Sequence, residues 1–224
     1  MGAIDRVVVN VATGAYVKGQ QRLERALGTT RLVSWADHMP MYSPSHQAAP
    51  YAFKAWALKA AAELHGGRTL LWADACILPI APVEPLWERI ERDGYWISNN
   101  GYTNAEWTVP EAYADLGVTP EENEAIPHVV ATTFGISLDH PTGRAIMDEY
   151  LRLAQTKAFC GPVRLRHGTR VSRGDMEISG HRHDQTALSV IAWRNGCKLT
   201  NPPEVFCYKG GETAETLLVA DGAY

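Results

Sequence analysis

What most restricts this chain is an alternation: short apolar runs are followed, repeatedly, by stretches with apolar residues at helical spacing. Residues 6–12 (RVVVNVA) are brief, continuous and β-branched, the pattern of a strand buried on both faces. Gly14 ends that run, and residues 19–28 (GQQRLERALG) read as a helix closed by Gly28. Residues 31–35 and 68–74 (RTLLWAD) read as further strands, the latter ending on Asp74. Between them Phe53, Trp56, Ala60 and Leu64 recur at helical spacing, stopped by Gly66 and Gly67. A helix is expected over 82–94, a strand over 95–99, loop with short helical pieces over 100–127, and one strand over 128–138. Helices follow at 142–154 and 179–196, the second capped by Ser179 with Ala187, Leu188 and Ile191 as its apolar stripe. Strands alternating with helices predict an α/β fold. With 224 residues, 46% of them hydrophobic, a single domain over residues 1–224 has enough material for one core.

Charge and cysteine content narrow the function classes. Lys plus Arg total 21 against 25 Asp plus Glu, a formal charge of −4, so the molecule as a whole is no polyanion binder. Cys76, Cys160, Cys197 and Cys207 form no Cys-x-x-Cys pair, a poor framework for disulfides or zinc. No apolar run is long enough to cross a bilayer, and MGAIDRVVVN lacks the apolar stretch of a signal peptide. Arg6 also spoils the myristoylation pattern after Gly2, so the expectation is a cytoplasmic chain with no membrane partner.

Three segments are candidates for chemistry. Asp74 follows a hydrophobic strand, and ligands of α/β sheets sit at such carboxyl ends. A carboxylate there either holds Mg²⁺ or Mn²⁺ against a phosphate or caps the following turn. The second segment, His181-Arg182-His183-Asp184-Gln185, enters a helix. It offers imidazole ligands and amides that favour anions, or else an ordinary N-terminal turn in which Asp184 offsets the helix dipole. Arg164, Arg166, His167, Arg170 and Arg173 make a basic loop that either closes over phosphate or is a solvated surface. Trp72, Trp87, Trp96, Trp107, Tyr95, Tyr102 and Tyr113 either include a stacking platform or belong to the core.

In their order along the chain these segments resemble the GT-A glycosyltransferases, particularly glycogenin-like and related bacterial and viral sugar-nucleotide transferases. The first strand runs into Ala12-Thr13-Gly14-Ala15-Tyr16, similar to the segment that holds base and ribose. Phe53-Lys54 resembles the helix that offers a basic group to the donor, and LLWADACILPIAPVEPLWERI the strand with Asp-x-Asp. HRHDQTALSVI is similar to the late Asp-Gln helix, where a histidine completes the metal site. The resemblance implies a GT-A, Rossmann-like mixed sheet flanked by helices. It implies transfer of a hexose from a nucleotide sugar, with UDP the expected carrier, to an acceptor hydroxyl. It further implies Ala12, Thr13, Gly14, Tyr16, Lys54 and Asp74 at the donor, and Asp184 and Gln185 at the reacting sugar. Mn²⁺ or Mg²⁺ would lie on Asp74 with His181 or His183. If the reaction inverts, Asp184, Glu106 or Asp115 would serve as base. One departure is plain: Cys76 stands where the second acid belongs, and a thiol suits those cations poorly. Two other readings therefore stay open, a non-catalytic sugar-nucleotide or carbohydrate binder and a metal-dependent hydrolase on His181, His183, Asp184 and Asp74. The acceptor is open as well: a small sugar, a protein, a glycan precursor or a hydroxylated DNA base, the last through the basic loop although not by default.

Overall fold

A computed structural model describes residues 6–161, 171–173 and 176–222. In chain order it comprises β1 (Arg6–Ala12), α1 (Tyr16–Leu27), β2 (Leu32–Ala36), α2 (Phe53–Glu63), β3 (Thr69–Ala73), β4 (Ile77–Pro79) and α3 (Glu84–Asp93). Next come β5 (Tyr95–Trp96), β6 (Asn99–Thr103), α4 (Tyr113–Leu116), α5 (Pro120–Ala125), β7 (Pro127–Val129), β8 (Thr133–Ser137) and α6 (Pro141–Leu153). The last are β9 (Val171–Arg173), β10 (Met176–Ile178), α7 (Asp184–Arg194), β11 (Val205–Tyr208) and β12 (Thr216–Ala220).

The main sheet has the order β2-β1-β3-β8-β5. β1 runs parallel to β2 and β3, whereas β8 is antiparallel to both β3 and β5. It is the expected mixed sheet between helices. Both its faces are covered, which is why β1 and β3 are mostly apolar, with Asn10 and Thr69 as buried polar exceptions. Val7, Val9, Val11, Leu70 and Trp72 face one core with Leu58, Ile146, Tyr150, Leu188 and Ile191. Val8, Leu71 and Ala73 face the other with Leu23, Leu27, Leu86, Trp87, Ile90 and Phe206. The alternation is the period-two consequence of the strand's pleat. In α1 the buried Gly19, Gln20, Leu23 and Leu27 line one helical face.

The structure departs from the sequence reading in five places. α1 begins at Tyr16, a turn earlier than expected. The expected strand over 128–138 is two strands, β7 and β8, with different partners. Residues 100–127 hold β6, which pairs with β7, and α5, closed by a Thr119–Glu122 capping box. The chain's end adds a three-stranded sheet β11-β12-β4 that the sequence reading missed. Finally, α7 begins at Asp184, so Ser179 is not its cap: His183 is the N-cap, at φ 48°. Among the described residues no helix is long and apolar enough to cross a membrane.

Candidate active site

The carboxyl ends of β1 and β3 are neighbours where the strand order reverses, the place where an open α/β sheet leaves a crevice. A buried relay joins them. Asn10 donates through Nδ2 to the Ala73 carbonyl at 2.6 Å, and its Oδ1 accepts from Gln20 Nε2 at 2.7 Å. Gln20 also reaches the Trp35 carbonyl at 3.0 Å, tying α1 to β2. Beyond β1 the Ala12–Tyr16 segment is fixed by Asp37, which the sequence reading did not single out. The Asp37 N–H donates to the Ala12 carbonyl and its Oδ1 accepts from the Gly14 N–H, both at 2.8 Å. Gly14 at φ 58° lets that turn close. Tyr16 is exposed at the start of α1.

Lys54, the second residue of α2, is buried and carries its ammonium to three oxygens. It donates to the Ala131 carbonyl at 2.9 Å and forms ion pairs with Asp184 Oδ2 at 2.8 Å and Asp74 Oδ1 at 3.1 Å. The ammonium, with three N–H donors, thus has three oxygens within 3.1 Å. Burial alone would lower its pKa; the charges of Asp184 and Asp74 outweigh that and raise it. Burial likewise raises both carboxyls, with Lys54 opposing the shift. Asp184 is almost fully covered, whereas the Asp74 side chain stays 29% exposed and also accepts from Trp72 Nε1 at 2.7 Å. Two residues placed far apart in sequence thus meet on one cation.

The backbone over 129–132 explains why the expected long strand breaks. Two of its carbonyls serve this cluster, Val129 accepting from Gln185 Nε2 at 2.9 Å and Ala131 from Lys54, while Thr132 accepts from the Asp74 N–H at 2.8 Å in continuation of the β3–β8 pairing. The 37–52 loop adds His46 and Tyr51, which the sequence reading missed. The Tyr51 ring centroid lies 5.7 Å from that of His183, 4.7 Å from that of His46 and 5.3 Å from Lys54 Nζ. Tyr51, like His183, has positive φ, a conformation that non-glycine residues hold only where their surroundings enforce it.

The expected ligand set Asp74, His181 and His183 does not form. His181 Nε2 bonds to the Ala158 carbonyl at 3.0 Å and its Nδ1 accepts from the Val109 N–H at 3.4 Å, so both nitrogens serve buried backbone. His183 gives Nδ1 to the Phe159 carbonyl at 2.9 Å. Burial lowers the pKa of both, His181 to about 4. The Cys76 thiol is pushed up by burial to about 12 and stays neutral. Mn²⁺ and Mg²⁺ require several hard oxygen ligands. Among the described residues no group of three or more His, Cys, Asp or Glu is arranged to hold a metal, so the residues present do not fit that cation.

The other candidates are placed elsewhere or used locally. Asp115 accepts from the Lys157 N–H and Glu106 from the Thr103 N–H. Trp72, Trp87, Trp96 and Tyr113 are buried in the cores, Trp107 is buried against Arg182, Tyr102 and His128, Tyr95 is half-buried, and Tyr102 is exposed. Arg164, Arg166, His167 and Arg170 lie outside the described residues; the Arg173 backbone is in β9. A cavity of about 550 Å³ lined by Arg89, Arg92, Tyr95, Trp96, Lys198 and Thr200 sits by the β5 edge and includes no residue of the cluster.

No known protein family and no curated protein matches the chain in sequence. Solved structures do. A glycosyltransferase involved in glycosylation of the major capsid of the virus PBCV-1 superposes with a TM-score of 0.53 at 10% identity, covering 98% of this chain and 94% of that one. The galactosyltransferase LgtC, solved with donor and acceptor sugar analogues, gives 0.43 at 11% identity over 97% and 87%, a looser likeness that carries no weight by itself. The chain therefore has the fold of a GT-A glycosyltransferase.

Proposed function

We propose that this chain transfers a hexose from a uridine-linked nucleoside diphosphate sugar to an acceptor hydroxyl. The observation that carries the reading is the meeting of Asp74 and Asp184 on Lys54 at the carboxyl edge of β1 and β3. In this reading Ala12, Thr13, Gly14 and Tyr16, shaped by Asp37, receive the nucleoside, and the Asp74 turn faces the diphosphate. Asp184, fixed at the first position of α7, stands nearest the anomeric carbon, where a preorganised carboxylate stabilises developing positive charge. Gln185 is oriented beside it by the Val129 carbonyl. Lys54 opposes the burial that raises both carboxyls and links the two through one ammonium. No step is assigned to Mn²⁺ or Mg²⁺. We place the protein in the cytoplasm, in keeping with four thiols left unpaired.

Calorimetric titration with UDP, followed by product analysis against a panel of nucleotide sugars and acceptors, tests the reading. UDP binds wild type, and Asp184→Asn lowers kcat by about 100-fold or more without unfolding the protein. Absence of UDP binding, or full turnover in Asp184→Asn, defeats it. Cys76 in the place of the second acid favours one competing reading, a binder without turnover. That reading holds if the donor binds and neither hydrolysis nor transfer follows.

A further inference from the structure

Around Asp74 the positions that would supply ligands to a divalent cation hold other chemistry. Cys76 replaces an oxygen donor with sulfur, which Mg²⁺ and Mn²⁺ take poorly. The Asp74 oxygen nearest Lys54 is already shared between that ammonium and the Trp72 indole. The acid that approaches Cys76 from the other side is Asp221, whose N–H donates to the Cys76 carbonyl at 2.8 Å. Its carboxylate is held by Arg22 at 3.3 Å and Lys209 at 3.0 Å. Arg22 also donates to the Asp221 carbonyl at 2.7 Å and lies 3.4 Å from the Cys76 carbonyl. Three carboxylates (Asp74, Asp184, Asp221) are thus matched by three cations (Lys54, Arg22, Lys209). A divalent ion needs an excess of negative oxygen ligands, and one set against Asp74 would also face the Lys54 ammonium.

Resting on the nucleotide-sugar reading above, we propose that this site binds the donor's diphosphate without a divalent cation. Lys54 offsets one of the two acids behind the Asp74 turn, and Arg22 and Lys209 are the cations that a diphosphate beside Cys76 meets. Lys209 is 64% exposed and swings from Asp221 to phosphate at small loss, because an exposed ion pair is worth little. Arginine at Arg22 offers a planar fork suited to phosphate oxygens. This fold's customary Lewis acid is replaced by the chain's own ammonium and guanidinium groups.

The experiment is calorimetric titration of the full chain with UDP, in EDTA and again in excess Mn²⁺. The expected result is a Kd equal in the two buffers to within about twofold. Tightening by about tenfold or more with Mn²⁺ overturns the proposal and leaves the transferase reading intact. No UDP binding in either buffer removes both together. Cys76→Asp supplies the complementary arm: restoring the second acid should create a Mn²⁺ response of about tenfold in UDP affinity that wild type lacks. A folded Cys76→Asp protein as indifferent to Mn²⁺ as wild type would show that the thiol is not what keeps the cation out and would leave that part to Lys54 beside Asp74, with the cation-free proposal standing.

Discussion

Lys54 is buried, and three protein oxygens surround its charge, which makes removing it different from removing either acid. Lys54→Met leaves two close carboxylates and a carbonyl without their cation, and breaking a buried pair from one side costs about 3–5 kcal/mol. Asp184→Asn leaves the ammonium still paired with Asp74, and Asp74→Asn leaves it paired with the more deeply buried Asp184. Urea denaturation should therefore rank the losses Lys54→Met first, Asp184→Asn second and Asp74→Asn third. Equal losses for all three would show that the cluster does not act as a unit. Asp74 and Asp184 could be picked out from the sequence because each is an acid at an element boundary, whereas Lys54 stood out only through the resemblance of its helix to one that offers a basic group to the donor. His46, Tyr51 and Asp37 could not, because polar or aromatic loop residues are common and only the fold shows which ones face the cluster.

At the scale of elements, the site depends on how β1, α1, β2 and β3 are fastened beneath it. Asn10 is the fastener: fully buried in a strand of valines, it bridges Ala73 and Gln20. Asn10→Ala removes the donor to the Ala73 carbonyl and leaves the Gln20 amide with the Trp35 carbonyl as its partner, so about 2 kcal/mol of stability should be lost. Because Ala73 immediately precedes Asp74, UDP affinity should fall as well, by about tenfold. Thr119→Ala is the contrast, an exposed cap on α5 whose loss costs about 1 kcal/mol and leaves UDP binding unchanged. Parallel measurements of urea midpoint and UDP affinity separate the two. The polar Asn10 inside RVVVNVA was the visible signal for this relay. The split of 128–138 gave no such signal, since an apolar run looks the same whether its carbonyls pair with a strand or turn toward a lysine.

For the molecule as a whole, the buried histidines weaken the fold in acid, opposed by the raised carboxyls of Asp74 and Asp184. His128 is fully buried among groups that include Trp107 and Arg182, and neither ring nitrogen has a hydrogen-bond partner among the described residues. Burial, with the nearby Arg182 charge, lowers its pKa to about 3, and burial lowers His181 to about 4. In the unfolded chain both titrate near about 6.5. A depressed pKa means that the unfolded state takes up the proton first. The stabilising effect is complete above about pH 6.5 and lost as pH falls toward the folded values, by about 1.4 kcal/mol per pH unit for each ring. Stability followed by urea denaturation between pH 7 and 4 should fall steeply, and His128→Leu should flatten the slope by about one proton's worth. An unchanged slope would mean that His128 can accept a proton where it sits.

The sequence by itself determined the α/β class, most element positions and the two acids. Those depend on local periodicity, β-branching and residues at element ends, which neighbours along the chain decide. Tertiary structure alone decided that Asp74 and Asp184 share Lys54, that His181 and His183 turn to the backbone at Ala158 and Phe159, and that β4, β11 and β12 join into a sheet. These are pairings between groups remote in sequence. Which partner a buried charge or imidazole finds depends on what the packed chain brings within hydrogen-bond distance, and no local pattern encodes that.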